Sequence, residues 1–173
     1  MIPLPWRNVA SWNCIACGMC CRGFHVVVGF NEWVKIVGAY GVGVTESGLD
    51  KLYLKKREDG TCVFLHRFYD TWLCGLQHMK PKACKLWPFK VLGRPKYGRP
   101  NEASYRYADR RLFIYLDSSC MGIKWGYPTQ EFAHGTLTEL VEIALGIRAK
   151  QYYSTSKIFL NPPYFKVRGR KII

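Results

Sequence analysis

Cys14, Cys17, Cys20 and Cys21 lie within eight residues, as Cys14-Ile-Ala-Cys17-Gly-Met-Cys20-Cys21. Thiols at this density argue for metal ligation. A Cys-x-x-Cys turn lets two thiolates converge on one ion at about 2.3 Å, and Gly18 supplies the backbone freedom that such a knuckle needs. The run Cys14-x-x-Cys17-x-x-Cys20 is also the spacing with which bacterial-type sites supply three of four ligands to an iron-sulfur cluster. Zinc and a [4Fe-4S] cluster are therefore both open. Adjacent side chains in an extended or turning backbone diverge, so one of Cys20 and Cys21 is expected to serve a second site or none.

The other four cysteines are Cys62, Cys74, Cys84 and Cys120, and eight thiols suffice for two four-cysteine centres. Disulfides would need an oxidising compartment, whereas Met-Ile-Pro-Leu-Pro-Trp-Arg at the N-terminus has no apolar leader core or cleavage site. All eight are candidate ligands, at least six are expected to ligate, with Cys14 and Cys17 sharing one centre, and disulfide pairing is not expected. His25, His66, His78 and His134 are scattered and read as ordinary residues, with His78, near Cys74, the best candidate ligand among them. No Ser-His-Asp order, Gly-rich phosphate loop or paired carboxylates are visible, and no catalytic residue is expected.

Beyond the first box, the chain carries Gly60-Thr-Cys62-Val-Phe-Leu65, then Cys74, then Lys80-Pro-Lys-Ala-Cys84-Lys-Leu-Trp-Pro-Phe89, then Cys120-Met-Gly122. In these motifs it resembles the YkgJ-type cysteine-cluster proteins, zinc- or iron-chelating domains, over roughly residues 14 to 122. Lys80 stands where that family prefers Arg. A relative with the same box is the flagellin lysine N-methylase, so the resemblance also implies an iron-sulfur enzyme as one reading.

The elements that must position these thiols are short. The expected fold is a small α+β domain, loop-rich around its metal centres, with a short antiparallel sheet and about three helices. Residues 1–13 read as a strap, and His25–Val28 as a brief strand leaving the box. Asn31 is a candidate cap for a helix from Glu32 to about Val37, ended by Gly38, and Ser47 with Asp50 suggests a second helix to about Arg57. Cys62–Leu65 is expected to pair with Trp72–Cys74. A short helix or turn carries Cys84, and Arg111–Asp117 is the strongest strand signal. Thr136-Leu-Thr-Glu139 reads as a capping box opening a helix over about 137–152. The twelve acidic residues read as solvated faces. One domain is expected over 1–153, followed by a basic extended tail over 154–173.

The 173 residues carry a formal net charge of +14 with 15% aromatic and 49% apolar residues, a folded but strongly basic chain. No apolar run reaches the roughly 18 residues needed to cross a bilayer, so a soluble cytoplasmic protein without membrane attachment is expected. The charge is segregated. Residues 80–111 hold ten Lys/Arg against Glu102 and Asp109, and residues 148–173 hold seven against none. Loop 93–100, Gly-Arg-Pro-Lys-Tyr-Gly-Arg-Pro, offers no apparent core residue. Cations interleaved with tyrosines suit a polyanion, and irregular RNA more than duplex DNA, because no recognition helix is present. Expected contacts are Lys80, Lys82, Lys85, Arg94, Lys96, Tyr97, Arg99, Arg106, Arg110 and Arg111, with Lys166, Arg168, Arg170 and Lys171 in the tail; Tyr105, Tyr164 and Phe165 are candidates to stack. The leading expectation is a metal-binding basic protein with structural centres and RNA-binding Lys/Arg segments, within a ribonucleoprotein such as the ribosome. An iron-sulfur enzyme and a metal or cluster carrier are the alternatives.

Overall fold

Eleven short strands and five α-helices succeed one another across residues 3–155, the part of the chain that the computed structural model describes. The basic tail beyond Thr155, with Tyr164, Phe165, Lys166, Arg168, Arg170 and Lys171, lies outside the described residues. In chain order, β1 (Leu4–Pro5) and β2 (Val9–Trp12) precede the cysteine box, and α1 (Met19–Gly23) completes it. Then come β3 (Val27–Val28), α2 (Phe30–Tyr40), β4 (Thr45–Ser47) and β5 (Leu52–Leu54). The hairpin β6 (Leu65–Phe68) and β7 (Thr71–Cys74) leads to α3 (Lys82–Leu86). The remainder is β8 (Phe89–Leu92), α4 (Pro100–Ala103), β9 (Ser104–Tyr107), β10 (Arg110–Leu116), β11 (Ile123–Trp125) and α5 (Leu137–Leu145). This is the small α+β architecture expected from the sequence.

The described residues gather into two compact units, one built from residues 3–17 with 85–155 and the other from residues 18–84. In the first, β10 is the organising strand. It pairs antiparallel with β1, β8 and β9, because Leu112, Ile114 and Leu116 alternate onto one face and supply an apolar row. That row packs against Leu137, Leu140 and Val141 of α5 and against Trp6, Val9, Trp12 and Phe89. The N-terminal segment is thus more than a strap: β1 joins the main sheet and β2 pairs with β11, since Val9 and Trp12 have apolar surface to bury. The helix expected over 137–152 ends at Leu145, because Gly146 adopts φ 79 and turns the chain.

In the second unit, β5 pairs with both β3 and β4, and β6 with β7. Residues 47–57 do not form the expected helix. Leu52, Tyr53 and Leu54 find ladder partners in Val27, Val28 and Thr45–Ser47, and that pairing buries Leu54. Local helical spacing lost to a sheet that the sequence spreads over three segments. The helix α2 runs further than expected, through Gly38, and stops where Gly41 takes φ 82. The hairpin strand begins at Leu65 rather than Cys62, which instead forms an isolated bridge with Lys56.

Candidate metal centres

Backbone conformation explains how four cysteines fit into eight residues. Ala16 and Gly18 take left-handed φ values of 54 and 73, one on each side of Cys17. Gly18 then opens α1, where the Cys21 amide donates to the Gly18 carbonyl at 3.0 Å. A Cβ on Gly18 would lie 3.0 Å from both Cβ and Cγ of Trp72, so this position needs glycine for its φ and for its neighbour. The boundary between the units falls inside the box: Cys14 and Cys17 belong to the first, Cys20 and Cys21 to the second. No disulfide joins any of the eight cysteines.

In the first unit, Cys14 and Cys17 are neighbours of Cys120 and act on it electrostatically. Cys120 follows β10 in a turn that Asp117 organises, its carboxylate accepting from the Ser119 amide at 3.1 Å and the Ser119 hydroxyl at 2.7 Å. The Trp12 indole N–H donates to Cys120 Sγ at 3.3 Å. Burial pushes the Cys120 thiol up, and this indole bond holds part of the rise back. One residue before Cys14, the Asn13 amide donates to the Gly122 carbonyl at 3.2 Å. A Cβ on Gly122 would overlap the Asn13 carbonyl oxygen, which explains why a glycine follows this late cysteine.

Cys14 itself is anchored through a carboxylate. Its amide donates to the Ser154 carbonyl at 3.1 Å. Ser154 is held by Glu139, which is fully buried and accepts from the amides of Tyr152, Tyr153 and Ser154 at 2.6, 3.0 and 3.1 Å and from the Ser154 hydroxyl at 2.6 Å. Arg148 Nη1 stands 3.6 Å from it as counter-ion. Glu139 is therefore neither a solvated acid nor the capping-box partner expected of it: Thr136 makes no side-chain cap bond. The signal available in the sequence was a carboxylate set among Leu137, Leu140 and Val141.

The second unit gathers Cys20, Cys21, Cys62, Cys74 and Cys84. Cys20 and Cys21 do not diverge as expected, because their backbone is helical rather than extended, and their sulfurs lie 3.8 Å apart. The Cys62 amide donates to the Cys21 carbonyl at 2.8 Å. Cys74 closes β7, and Cys84 sits mid-way along α3. Glu32 ties that helix down, one carboxylate oxygen accepting from the Lys82 amide at 2.7 Å and the other from the Gly29 amide at 3.0 Å. Cys20, Cys62, Cys74 and Cys84 all influence one another electrostatically. Lys80 lies among them. A bond from the Cys21 thiol, opposed by burial and assisted by Lys80, brings Cys20 down to about 7, while Cys21 is pushed up by the same bond. Burial raises Cys62, Cys74 and Cys84.

The donor chemistry of both sets fits a thiophilic ion. Thiolates select zinc and iron-sulfur clusters, and a lysine ammonium beside several thiolates offsets their mutual repulsion. Among the described residues no group of three or more His, Cys, Asp or Glu side chains stands close enough together to hold a metal ion as it is. His78 is exposed.

The family model described as "CxxCxxCC: putative zinc- or iron-chelating domain" matches residues 13–121. The chain belongs to this family, and metal binding is its family property. No curated protein and no solved structure matches the chain.

The basic residues are dispersed differently from the cysteines. Lys80 sits with the thiols of the second unit, and Lys85 Nζ donates to the Ala149 carbonyl at 2.8 Å. Lys82, Arg94, Lys96, Arg106, Arg110 and Arg111 are exposed, and Arg99 stands 3.5 Å from Glu102. Loop 93–100 does contribute to packing: Tyr97 meets the fully buried Tyr115 edge-on at 5.3 Å, and the Tyr115 hydroxyl donates to the Gly98 carbonyl at 2.8 Å. Tyr105 is not placed to stack on a ligand, because its hydroxyl is bonded to the Ala133 carbonyl and Thr138 and its ring meets Trp6 edge-on. Among the described residues no helix is long and apolar enough to cross a membrane.

Proposed function

We propose that the protein is a basic RNA-binding protein whose two units are each stapled by a metal centre, one drawing on Cys14, Cys17 and Cys120 and the other on Cys20, Cys21, Cys62, Cys74 and Cys84. The observation that carries the structural role is where the thiols sit. Cys14 and Cys120 pack on the apolar core of the first unit; Cys62 is part of the core of the second, with Cys21, Cys74 and Cys84 packed against it. Ligands wedged between core residues hold segments together, whereas a catalytic ion keeps an open position for substrate. The RNA reading rests on charge: +14 over the chain, and exposed arginines that make no ion pair among the described residues. A ribonucleoprotein such as the ribosome is the partner that this charge suits.

Protein purified without air should contain metal in both sets. Cys120→Ser and Cys84→Ser variants should each lose one centre and keep the other by elemental analysis. A visible band near 400 nm would identify iron-sulfur, and its absence with bound zinc would identify a zinc staple. RNA affinity should fall with salt by a log-log slope of roughly −0.7 to −0.9 per phosphate neutralised. Binding that ignores salt would remove the RNA reading.

A further inference from the structure

The sheet around β10 has a second face, turned away from the core described above. Arg111 is directly opposite Arg106 on β9, and Tyr115 is directly opposite Lys90 on β8. Residues paired in this way share a face, and alternation along β10 puts Arg111, Phe113 and Tyr115 there together. The other row, Tyr105, Leu112, Ile114 and Phe89, is the one that meets α5. No acidic residue occupies any strand position of the second face: its other members are Ser104 and Arg106 on β9, Lys90 and Leu92 on β8, and Pro5 on β1.

Two features of this face lack a structural explanation. Like charges directly across a strand pair disfavour the sheet, yet Arg106 and Arg111 are exposed and neither makes an ion pair among the described residues. Phe113, half-buried, is not among the residues packed on the core. Alongside them Lys90 Nζ lies 5.0 Å from the centre of the Tyr97 ring, and Lys96 Nζ 5.8 Å from it. The Tyr115 end of this face is covered, since Tyr115 and Pro5 are fully buried and loop 93–100 packs on Tyr115. The accessible end, with Arg106, Arg111 and the half-buried Phe113, sets cations beside a flat ring and matches the chemistry of a single-stranded polynucleotide, with phosphates on the cations and a base on the ring.

We propose that this sheet face is the RNA site, and that it takes single-stranded RNA: Arg106 and Arg111 neutralise adjacent phosphates, Phe113 carries a stacked base, and Tyr97 with Lys90 and Lys96 forms the far edge. The inference rests on the RNA reading given above and narrows it to one strand and one surface. A phosphate between Arg106 and Arg111 removes their repulsion. Paired RNA presents a phosphate-lined exterior with its base faces hidden, so it can use the cations and not Phe113.

The test uses the full metal-loaded chain and a labelled mixed-sequence RNA of twelve nucleotides, single-stranded or annealed to its complement. The single strand should bind more tightly than the duplex. Replacing Arg106 and Arg111 together by Ala should reduce the salt slope by roughly 1.4, the value for two single-strand phosphates. Phe113→Leu preserves apolar bulk and should weaken single-strand binding roughly tenfold, within the range for one lost base stack, leaving the duplex unaffected. Metal content and thermal midpoint of each variant report whether the fold is kept. If the wild type binds neither RNA in a salt-dependent way, the RNA reading itself fails. If it binds, but loses affinity only on combined replacement of Arg94 and Arg99, which lie outside the proposed site, the RNA reading stands and the sheet-face inference falls. Equal affinity for strand and duplex also overturns the inference.

Discussion

The three cysteines of the first unit and the five of the second are positioned by different means. Cys14 and Cys120 are set by contacts that do not involve a metal: the backbone bonds through Asn13, Gly122 and Ser154, the Trp12 indole, and the buried carboxylate of Glu139. Behind them stands a four-stranded sheet with a helix on its core face. The five thiols of the second unit hang on two five-residue helices, a four-residue strand and an isolated bridge. A unit the size of residues 18–84, below roughly 70 to 80 residues, rarely obtains more than about 3–5 kcal/mol from its core alone. Metal should therefore be an accessory to folding in the first unit and a condition of it in the second.

The largest effect should come from removing metal. Apparent binding energies of structural zinc, about 10–16 kcal/mol, far exceed such a core. Chelation, or Cys84→Ser, should expose the amides of residues 18–84 to rapid hydrogen exchange, while the ladders of β8, β9 and β10 stay protected. Equal loss of protection in both units would erase the distinction.

Glu139→Ala should reverse the pattern. Removing the carboxylate strands the amides of Tyr152, Tyr153 and Ser154 and the proton of the Ser154 hydroxyl, while Arg148 keeps Glu142 at 2.7 Å; each buried donor left without an acceptor costs about 1–3 kcal/mol. Thermal unfolding should report that loss, and faster exchange at the Cys14 and Ser154 amides should place it in the first unit. A change confined to residues 18–84 would contradict the contrast.

Smaller effects should follow from the two glycines. Gly122→Ala forces the chain away from Asn13 at a cost of about 1–3 kcal/mol, the range for overpacking. Gly18→Ala imposes a left-handed alanine, about 1–2 kcal/mol. Metal content should distinguish them: Gly122→Ala should loosen only the set containing Cys14, and Gly18→Ala only the set containing Cys20.

Legibility in the sequence followed the range of the interactions. Spacing alone marked the cysteine box and the glycine at its turn, and the unbroken apolar run Leu112–Leu116 announced β10. Local signals misled wherever partners lay far off in the chain. Leu52–Leu54 has helical spacing, but its ladder partners are Val27–Val28 and Thr45–Ser47. Tyr105 looked like a stacking residue until Ala133 and Thr138 were seen to hold its hydroxyl. The division of eight cysteines between two units could not be read from spacing at all, since the boundary splits the very motif that defines the box.

That boundary also has a consequence in time. Every thiol of the second unit comes from one uninterrupted stretch, so the set is complete once Cys84 has been synthesised. The first unit must wait: Trp12 and Cys120, which share a hydrogen bond, are separated by 108 positions. Because chains fold vectorially as they emerge, the proposed thiol set of residues 18–84 would be complete while the unit that flanks it in sequence is still half made. On the proposed division, Cys14 and Cys17 wait for Cys120, so the nascent chain is the stage at which that set should be most open to the wrong metal.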